Sequence, residues 1–395
     1  MLLVPCHLLQ ETMRIKILGT GLTKFGELWD QSLENLAHEA ALEAISDSRL
    51  PKSKIDAVFV ANMIYGKISN QDHLGALVTS KLGLNCASFR IEAACASGGL
   101  AVHLATQAIM AGTYENVLVV GVEKMTDAGI SEITSALMGA GSEAERKAGL
   151  TFPGLYALMA KAHMQKFGTT RKHLASVSVK NHYHASMNEK AQFPFEVTEE
   201  KILNSPEICS PFTLFDCSPI TDGAAALVLS AEDGPGSLPA GRQVYITGSA
   251  VATDTVDLSS RKSLTEIAAT KEASQKALKQ AGLDLKAIKI AEVHDCFTIA
   301  EILAMEDLGF CKKGEGGAFV KAGHTRLGGK LPINTSGGLK ACGHPVAATG
   351  VKQIIEIADQ LRGRAGKRQA NDVNVGLTHN VGGSGATVVV HILQT

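Results

Sequence analysis

Cys95 stands in Ala94-Cys95-Ala96-Ser97-Gly98-Gly99, after a strand-like segment and at the head of a long apolar, helix-forming run. The free N–H groups and dipole of a helix N-terminus favour a thiolate, so this placement predicts a cysteine below its usual pKa of about 8.5 and a strong nucleophile. Small neighbours let a substrate approach the backbone closely. The same residues would equally serve a buried cysteine in a small-residue helix contact. His294-Asp295-Cys296-Phe297 offers a second set of proton-transferring groups, placed where a strand ends and a helix begins, the usual ligand position in open α/β sheets. Cys342-Gly343-His344-Pro345, after Asn334-Thr335-Ser336-Gly337-Gly338, puts a histidine at another helix start. His379-Asn380-Val381-Gly382-Gly383-Ser384-Gly385 supplies backbone N–H groups suited to an oxyanion. Each segment by itself is a weak signal, because a lone histidine is usually a core or surface residue. Four such loops at corresponding strand ends are far more specific.

The elements that must carry these loops occur twice in the same order. Strand Ile15 to Gly19, helix Leu36 to Ile45 and strand Ile55 to Val60 are followed by the Cys95–Ala111 helix and strand Val117 to Val122. Strand Val244 to Gly248, helix Lys271 to Ala281 and strand Ile290 to Val293 are followed by the His344–Leu361 helix and strand Val373 to Leu377. This predicts an α/β protein of two duplicated halves. Residues 126–214 lack the rhythm and read as a mostly helical insertion in the first half, which resumes in the strand Ala225 to Leu229. The expected divisions are 13–125 with 215–233, then 126–214, then 242–395, with a Gly- and Pro-rich linker over 234–241. The basic run Arg362, Arg364, Lys367 and Arg368 reads as a solvated loop.

Composition excludes several classes. The chain has 395 residues, and its 38 basic side chains against 39 acidic ones leave no field to attract nucleic acid or an anionic membrane. A hydrophobic share of 45% with only 19% charged residues points to a chain largely buried in a core or a subunit interface. Eight cysteines without regular spacing fit a reducing cytoplasm better than a disulfide framework. The first residues make no secretory signal, and Met13 is an alternative start. The uncharged stretch from Ala93 to Tyr114 is long enough to span a bilayer, but its Cys95, Ser97, His103, Thr106 and Gln107 mark a buried helix.

From about Met13 to Leu393 the sequence resembles the thiolase superfamily, through Cys-x-Ser, His-Asp-Cys-Phe, Gly-His-Pro and the final glycine-rich loop. The resemblance implies a five-layer fold of two βαβαβαββ halves with an inserted loop domain. It makes Cys95 the acylated cysteine and His344 the group that activates it. Many thiolases carry Asn-Glu-Ala-Phe and a terminal Cys-x-Gly where this chain has His294-Asp295-Cys296-Phe297 and Asn380-Val381-Gly382. That pattern is similar to the sterol-carrier-type and archaeal-type acetyl-CoA acetyltransferase branch, which implies that Cys296 transfers the proton, with Cys342 as its rival. It also implies that His294 and His344 hold the enolate oxygen and that the N–H groups of Cys95 and Gly382 hold the tetrahedral oxyanion. Asn380 is then expected to have no acid/base duty.

The implied activity is cleavage of 3-ketoacyl-CoA or condensation of two acetyl-CoA, with CoA thioesters as substrates and no cofactor. The implied partners are a second copy in a homodimer or homotetramer, a hydroxymethylglutaryl-CoA synthase and a small OB-fold zinc protein. The alternative within the fold is a non-catalytic or retro-aldolase member of a lipid or sterol acyl-CoA complex. A zinc site of His294, Cys296, Cys342 and His344 is the chemical rival, disfavoured because His-x-Cys and Cys-x-His pairs are tighter than usual ligand spacings. No dinucleotide fingerprint follows the first strand.

Overall fold

The computed structural model describes residues 14–232 and 243–395; Met13 and the expected 234–241 linker lie outside them. The main sheet contains β1 (Ile15–Leu22), β2 (Ala57–Ala61), β3 (Ala87–Ile91), β4 (Asn116–Glu123), β5 (Gly223–Ala231), β6 (Tyr245–Thr253), β7 (Ile290–Val293), β8 (Val375–Gly382) and β9 (Thr387–Gln394). Their spatial order is β3-β2-β4-β5-β1-β6-β9-β8-β7. Read outward from the centre, β1-β5-β4-β2-β3 mirrors β6-β9-β8-β7. The fifth place on the second side is held by a single parallel bridge, Ala291 to Ile333. Pairing repeats as well: β2 is parallel to β3 and β4, as β7 is to β8, and the remaining pairs in each half are antiparallel. The half-sheets join through the pairs Ile15–Ile246 and Lys16–Tyr245, flanked by a hydrogen bond from the Ile17 N–H to the Val244 carbonyl at 3.0 Å.

The larger helices are α1 (Leu33–Ser48), α2 (Leu74–Leu82), α3 (Ser97–Met110), α4 (Ile130–Leu137), α5 (Phe152–Phe167), α6 (Arg171–Ala185), α7 (Ala268–Ala281), α8 (Thr298–Leu308) and α9 (Thr349–Arg362). Ser32 starts α1 by accepting a hydrogen bond from the Asn35 N–H at 3.2 Å, satisfying one of the free donors of the first turn. Strand β4 shows how the layers form, since its side chains alternate between faces and every one is buried. Val117 and Val119 pack toward α3 and α9, while Leu118, Val120 and Val122 pack toward α1. The two central helices touch strands of both half-sheets, and α7 and α8 cover the far side. The result is helix, sheet, helix pair, sheet, helix, with α4, α5 and α6 arising from the segment between β4 and β5.

The central helices approach closely because small residues face each other. A Cβ on Gly98 would overlap the Ala347 carbonyl oxygen, and one on Gly350 would overlap the Gly99 nitrogen. That contact places the start of α3, just after Cys95, beside the start of α9, just after His344. The basic run near the end of α9 is only in part the solvated loop expected: Arg364 and Lys367 are exposed, while Arg362 and Arg368 are half-buried. Arg364 pairs with Asp47 at 2.9 Å and Asp359 at 3.2 Å, and Arg368 pairs with Glu356 at 2.9 Å. Carboxylates on α1 and α9, distant or unremarkable in sequence, hold these charges and tie α1 to α9.

Candidate active site

Four segments meet at one end of the strands. Cys95 lies between β3 and α3, in a turn whose preceding residue, Ala94, has φ of 53°. A non-glycine residue there carries backbone strain. Ser97 holds the turn, its hydroxyl accepting from the Ala93 N–H at 2.9 Å and donating to the Ala94 carbonyl at 2.5 Å. His294 to Phe297 link β7 to α8, and His344 lies between the short helix Gly338–Cys342 and α9. Asp295 joins these two loops by accepting from the N–H groups of Leu339 at 2.7 Å and Lys340 at 3.2 Å, and from Asn181 Nδ2 at 2.6 Å. Burial and the nearby Glu301 raise its carboxyl to about 7.

Cys95 Sγ and one ring nitrogen each of His294 and His344 lie within 4.8 Å of one another. The two imidazoles meet edge to face, with centroids 5.1 Å apart. The backbone N–H groups of Gly383 and of Cys95 itself are the ones near enough to favour a charged Cys95 sulfur. Gly382, the residue expected to supply this donor, instead lies against the nucleophile turn, where a Cβ would overlap the Ala93 carbonyl oxygen. In the free protein the loop N–H that acts on the Cys95 sulfur is that of Gly383, one residue past the end of β8. The lowered thiol pKa expected of a helix start is also reversed. Burial pushes the Cys95 thiol up to about 12, with Glu123 and Glu92 adding to the rise, and the two N–H groups offset only part of it. Burial and the Lys352 ammonium bring His344 down to about 3, and burial holds His294 well below 6.5. The resting site is a neutral thiol beside neutral rings.

These groups open onto an apolar cavity of about 590 Å³ lined by Met125, Ile133, Leu137, Tyr156 and Phe193, among others, and by Cys95, Cys296 and His344. Cys296 is buried and faces this space, while burial raises its thiol well above the usual range. Cys342 does not line the cavity; it packs in the central core, with Asn188 Nδ2 at 3.6 Å from its sulfur. Its position in the sequence beside Gly343-His344 therefore does not translate into access. The zinc set considered from sequence is not the one brought together; the cluster able to hold a metal ion among the described residues is Cys95, His294 and His344.

Three further side chains complete the site. The Tyr156 hydroxyl donates to the Gly383 carbonyl at 3.1 Å and faces the same cavity as the Cys296 thiol. Lys340 lines the cavity wall, and burial lowers its ammonium to about 8. Asn380, in β8, bonds the backbone of Gly99 and Cys95. Lys340 lies between the Ser336-Gly337-Gly338 and Gly343-His344 loops and Tyr156 in the inserted segment, but neither belongs to a motif by its own side chain, so only packing reveals them.

Comparison with known proteins agrees with this arrangement. Residues 15–210 match the family described as thiolase, N-terminal domain, and residues 250–395 match the thiolase C-terminal domain-like family. An acetyl-CoA acetyltransferase of Methanothermobacter thermautotrophicus is 47% identical over 96% of this chain and 99% of its own. Human sterol carrier protein 2 is 33% identical over 95% of this chain and 71% of its own. A solved structure described as an Ltp2-ChsH2(DUF35) aldolase superposes with a TM-score of 0.82 at 26% identity, covering 97% of this chain and 98% of that one. Family matches over both halves, and a relative at this identity over nearly the whole length, lead to one conclusion: the chain belongs to the thiolase family.

Proposed function

We propose that this protein is an acetyl-CoA C-acyltransferase that cleaves 3-ketoacyl-CoA, or condenses two acetyl-CoA to acetoacetyl-CoA, through an acyl-cysteine at Cys95. The observation that carries this reading is the convergence of Cys95, His294 and His344 within 4.8 Å, beside an apolar cavity that also holds Cys296. His344 takes the Cys95 proton as sulfur attacks the thioester carbonyl; the tetrahedral oxyanion is held by the N–H groups of Cys95 and Gly383, and CoA departs with the proton. In condensation Cys296 removes an α-proton from a second acetyl-CoA, and the enolate carbon attacks the acetyl carbonyl carbon carried by Cys95, breaking its C–S bond and releasing the sulfur, while His294 donates to the enolate oxygen. In cleavage Cys296 returns that proton to carbon. Its raised pKa suits the second task, because the resting thiol already carries the proton. Lys340 offers its ammonium to a carbonyl of the bound thioester chain.

Mixing the protein with acetoacetyl-CoA and free CoA tests the activity. The expected result is CoA-dependent loss of the enolate absorbance with formation of acetyl-CoA. Loss without CoA, or none from protein that binds acetoacetyl-CoA, would favour the aldolase or non-catalytic alternative.

We further infer a homodimer or a dimer of dimers. Strand β3 is an open sheet edge whose Phe89 is 40% exposed, and such edges are normally covered. A light-scattering mass near the 41.5 kDa monomer at sub-micromolar concentration would contradict this. A reducing cytoplasm is supported by seven free cysteines, with no disulfide among the described residues. None of the described helices is long and apolar enough to cross a membrane. An accessory protein is supported by the two-component description of the solved aldolase relative. A hydroxymethylglutaryl-CoA synthase and a small OB-fold zinc protein are the partners proposed.

A further inference from the structure

Asn380 stands at a junction of three segments. Its Oδ1 accepts from the Gly99 N–H at 3.1 Å, and its Nδ2 donates to the Cys95 carbonyl at 3.0 Å. The same Nδ2 lies 3.3 Å from His294 Nδ1. The two backbone partners fix the amide, because an N–H can meet only its oxygen and a carbonyl can meet only its NH2. Turning it over would set donor against donor and acceptor against acceptor. Space fixes it too: a Cβ on Gly350 would overlap Asn380 Oδ1, and one on Gly99 would sit 2.9 Å from it. The side chain is 1% exposed, so solvent does not compete for these contacts.

One consequence reaches the chemistry. His294 Nδ1 faces an NH2 group and must accept, so the single proton of the neutral ring sits on Nε2. That Nε2 is buried and has no partner within the protein. It is an unused donor in the cluster with Cys95 Sγ and His344. The other ring is held the opposite way: His344 Nδ1 is 2.7 Å from Thr349 Oγ1, whose hydroxyl donates to the Pro345 carbonyl at 3.1 Å. The ring therefore donates from Nδ1 and leaves its Nε2 lone pair free.

From this geometry we propose that Asn380 is a positioning residue that locks His294 in the Nε2–H tautomer, making it a donor to the enolate oxygen while His344 serves as the base. The inference rests on the acyl-transfer reading above. It assigns a task to a side chain for which the motif pattern left none.

Three measurements test it. Nitrogen-15 NMR of histidine-labelled protein is expected to show His294 as the Nε2–H tautomer, and Asn380→Asp, which turns an acceptor toward the ring, is expected to move the proton to Nδ1. Asn380→Ala, which also loses the contacts to the Cys95 and Gly99 backbone, is expected to lower condensation and α-proton exchange on acetyl-CoA by about 10²–10³, the scale for losing one oxyanion donor, and self-acetylation by much less. In a His294→Gln background, whose amide needs no tautomer, the further loss from Asn380→Ala is expected to shrink below tenfold. An Nδ1–H tautomer in the wild type would overturn the inference whatever the variants do. Wild-type condensation in a folded Asn380→Ala protein, or an undiminished loss in the His294→Gln background, would also overturn it. Wild-type protein that neither acetylates Cys95 nor cleaves acetoacetyl-CoA would instead remove the acyl-transfer reading and leave the tautomer assignment standing.

Discussion

Cys95 and His344 form a pair in which neither partner is charged before substrate arrives, since burial dominates both shifts. The sulfur becomes nucleophilic only as its proton passes to His344. Alkylation of Cys95 by iodoacetamide in the free enzyme is therefore expected to keep rising beyond about pH 9, because the thiolate fraction is still growing. A plateau reached below about pH 7 would reveal a preformed thiolate. The expectation of such a thiolate came from the helix start alone, and it failed because a sequence does not show how much water a turn excludes or that Glu123 lies close by. The neighbouring loop carries a second outcome. A Cβ on Gly382 would push on the Ala93 carbonyl and so on the turn that aims Cys95. Gly382→Val is expected to cost about 10²–10³ in turnover through misplacement of Cys95 and the Gly383 N–H. Near-normal turnover would mean the turn is held from elsewhere.

Helices α3 and α9 set the spacing of the catalytic pair, because the residues just before their first turns are Cys95 and His344. Replacing Gly350 by alanine would drive a methyl group into the Gly99 nitrogen and Asn380 Oδ1. Overpacking of this kind is expected to cost about 1–3 kcal/mol, read as a lower urea midpoint, together with slower self-acetylation. An unchanged midpoint would show that the helices can part freely. Much at this scale was legible in the sequence. The strand Ile290–Val293 and the helix Thr298–Leu308 follow the apolar pattern residue for residue, and the small-residue helix starts marked the close approach. Helix α2 and the two-pair join between the half-sheets were not legible, because no motif marks either and the join depends on register across distant strands. The contacts of Asn380 were hidden for the same reason, since they link residues more than 280 positions apart along the chain.

The whole molecule keeps six histidines neutral inside the fold: burial lowers His182, His184, His344, His379 and His391 to about 3, and His294 well below its usual value. Each would take up a proton near pH 6.5 once unfolded, so below that pH the unfolded chain binds more protons and stability falls as pH falls. Buried carboxyls act in the opposite sense. Glu123 and Asp295 are raised to about 7 and Asp359 to about 6, so the fold holds protons that the unfolded chain has already released. His103 and His173, also lowered by burial, add to the loss and the raised Asp307 offsets part of it; eight groups against four leave a net loss, and the urea midpoint is expected to drop between about pH 7.5 and pH 5. A midpoint that rises over this range would show that several of these histidines are charged in the fold. None of this could be read from a net charge of −1, which says nothing of which groups lie inside.

The central claim is that acyl groups pass through Cys95 and that Cys296 acts after them. Intact-mass spectrometry after incubation with acetyl-CoA measures both at once, with peptide mapping to place the modification. Wild-type protein is expected to gain one acetyl group on Cys95, Cys95→Ala none, and Cys296→Ala to hold its acetyl group while turning over slowly. Acetylation that persists in Cys95→Ala, or wild-type turnover in Cys296→Ala, would contradict the account.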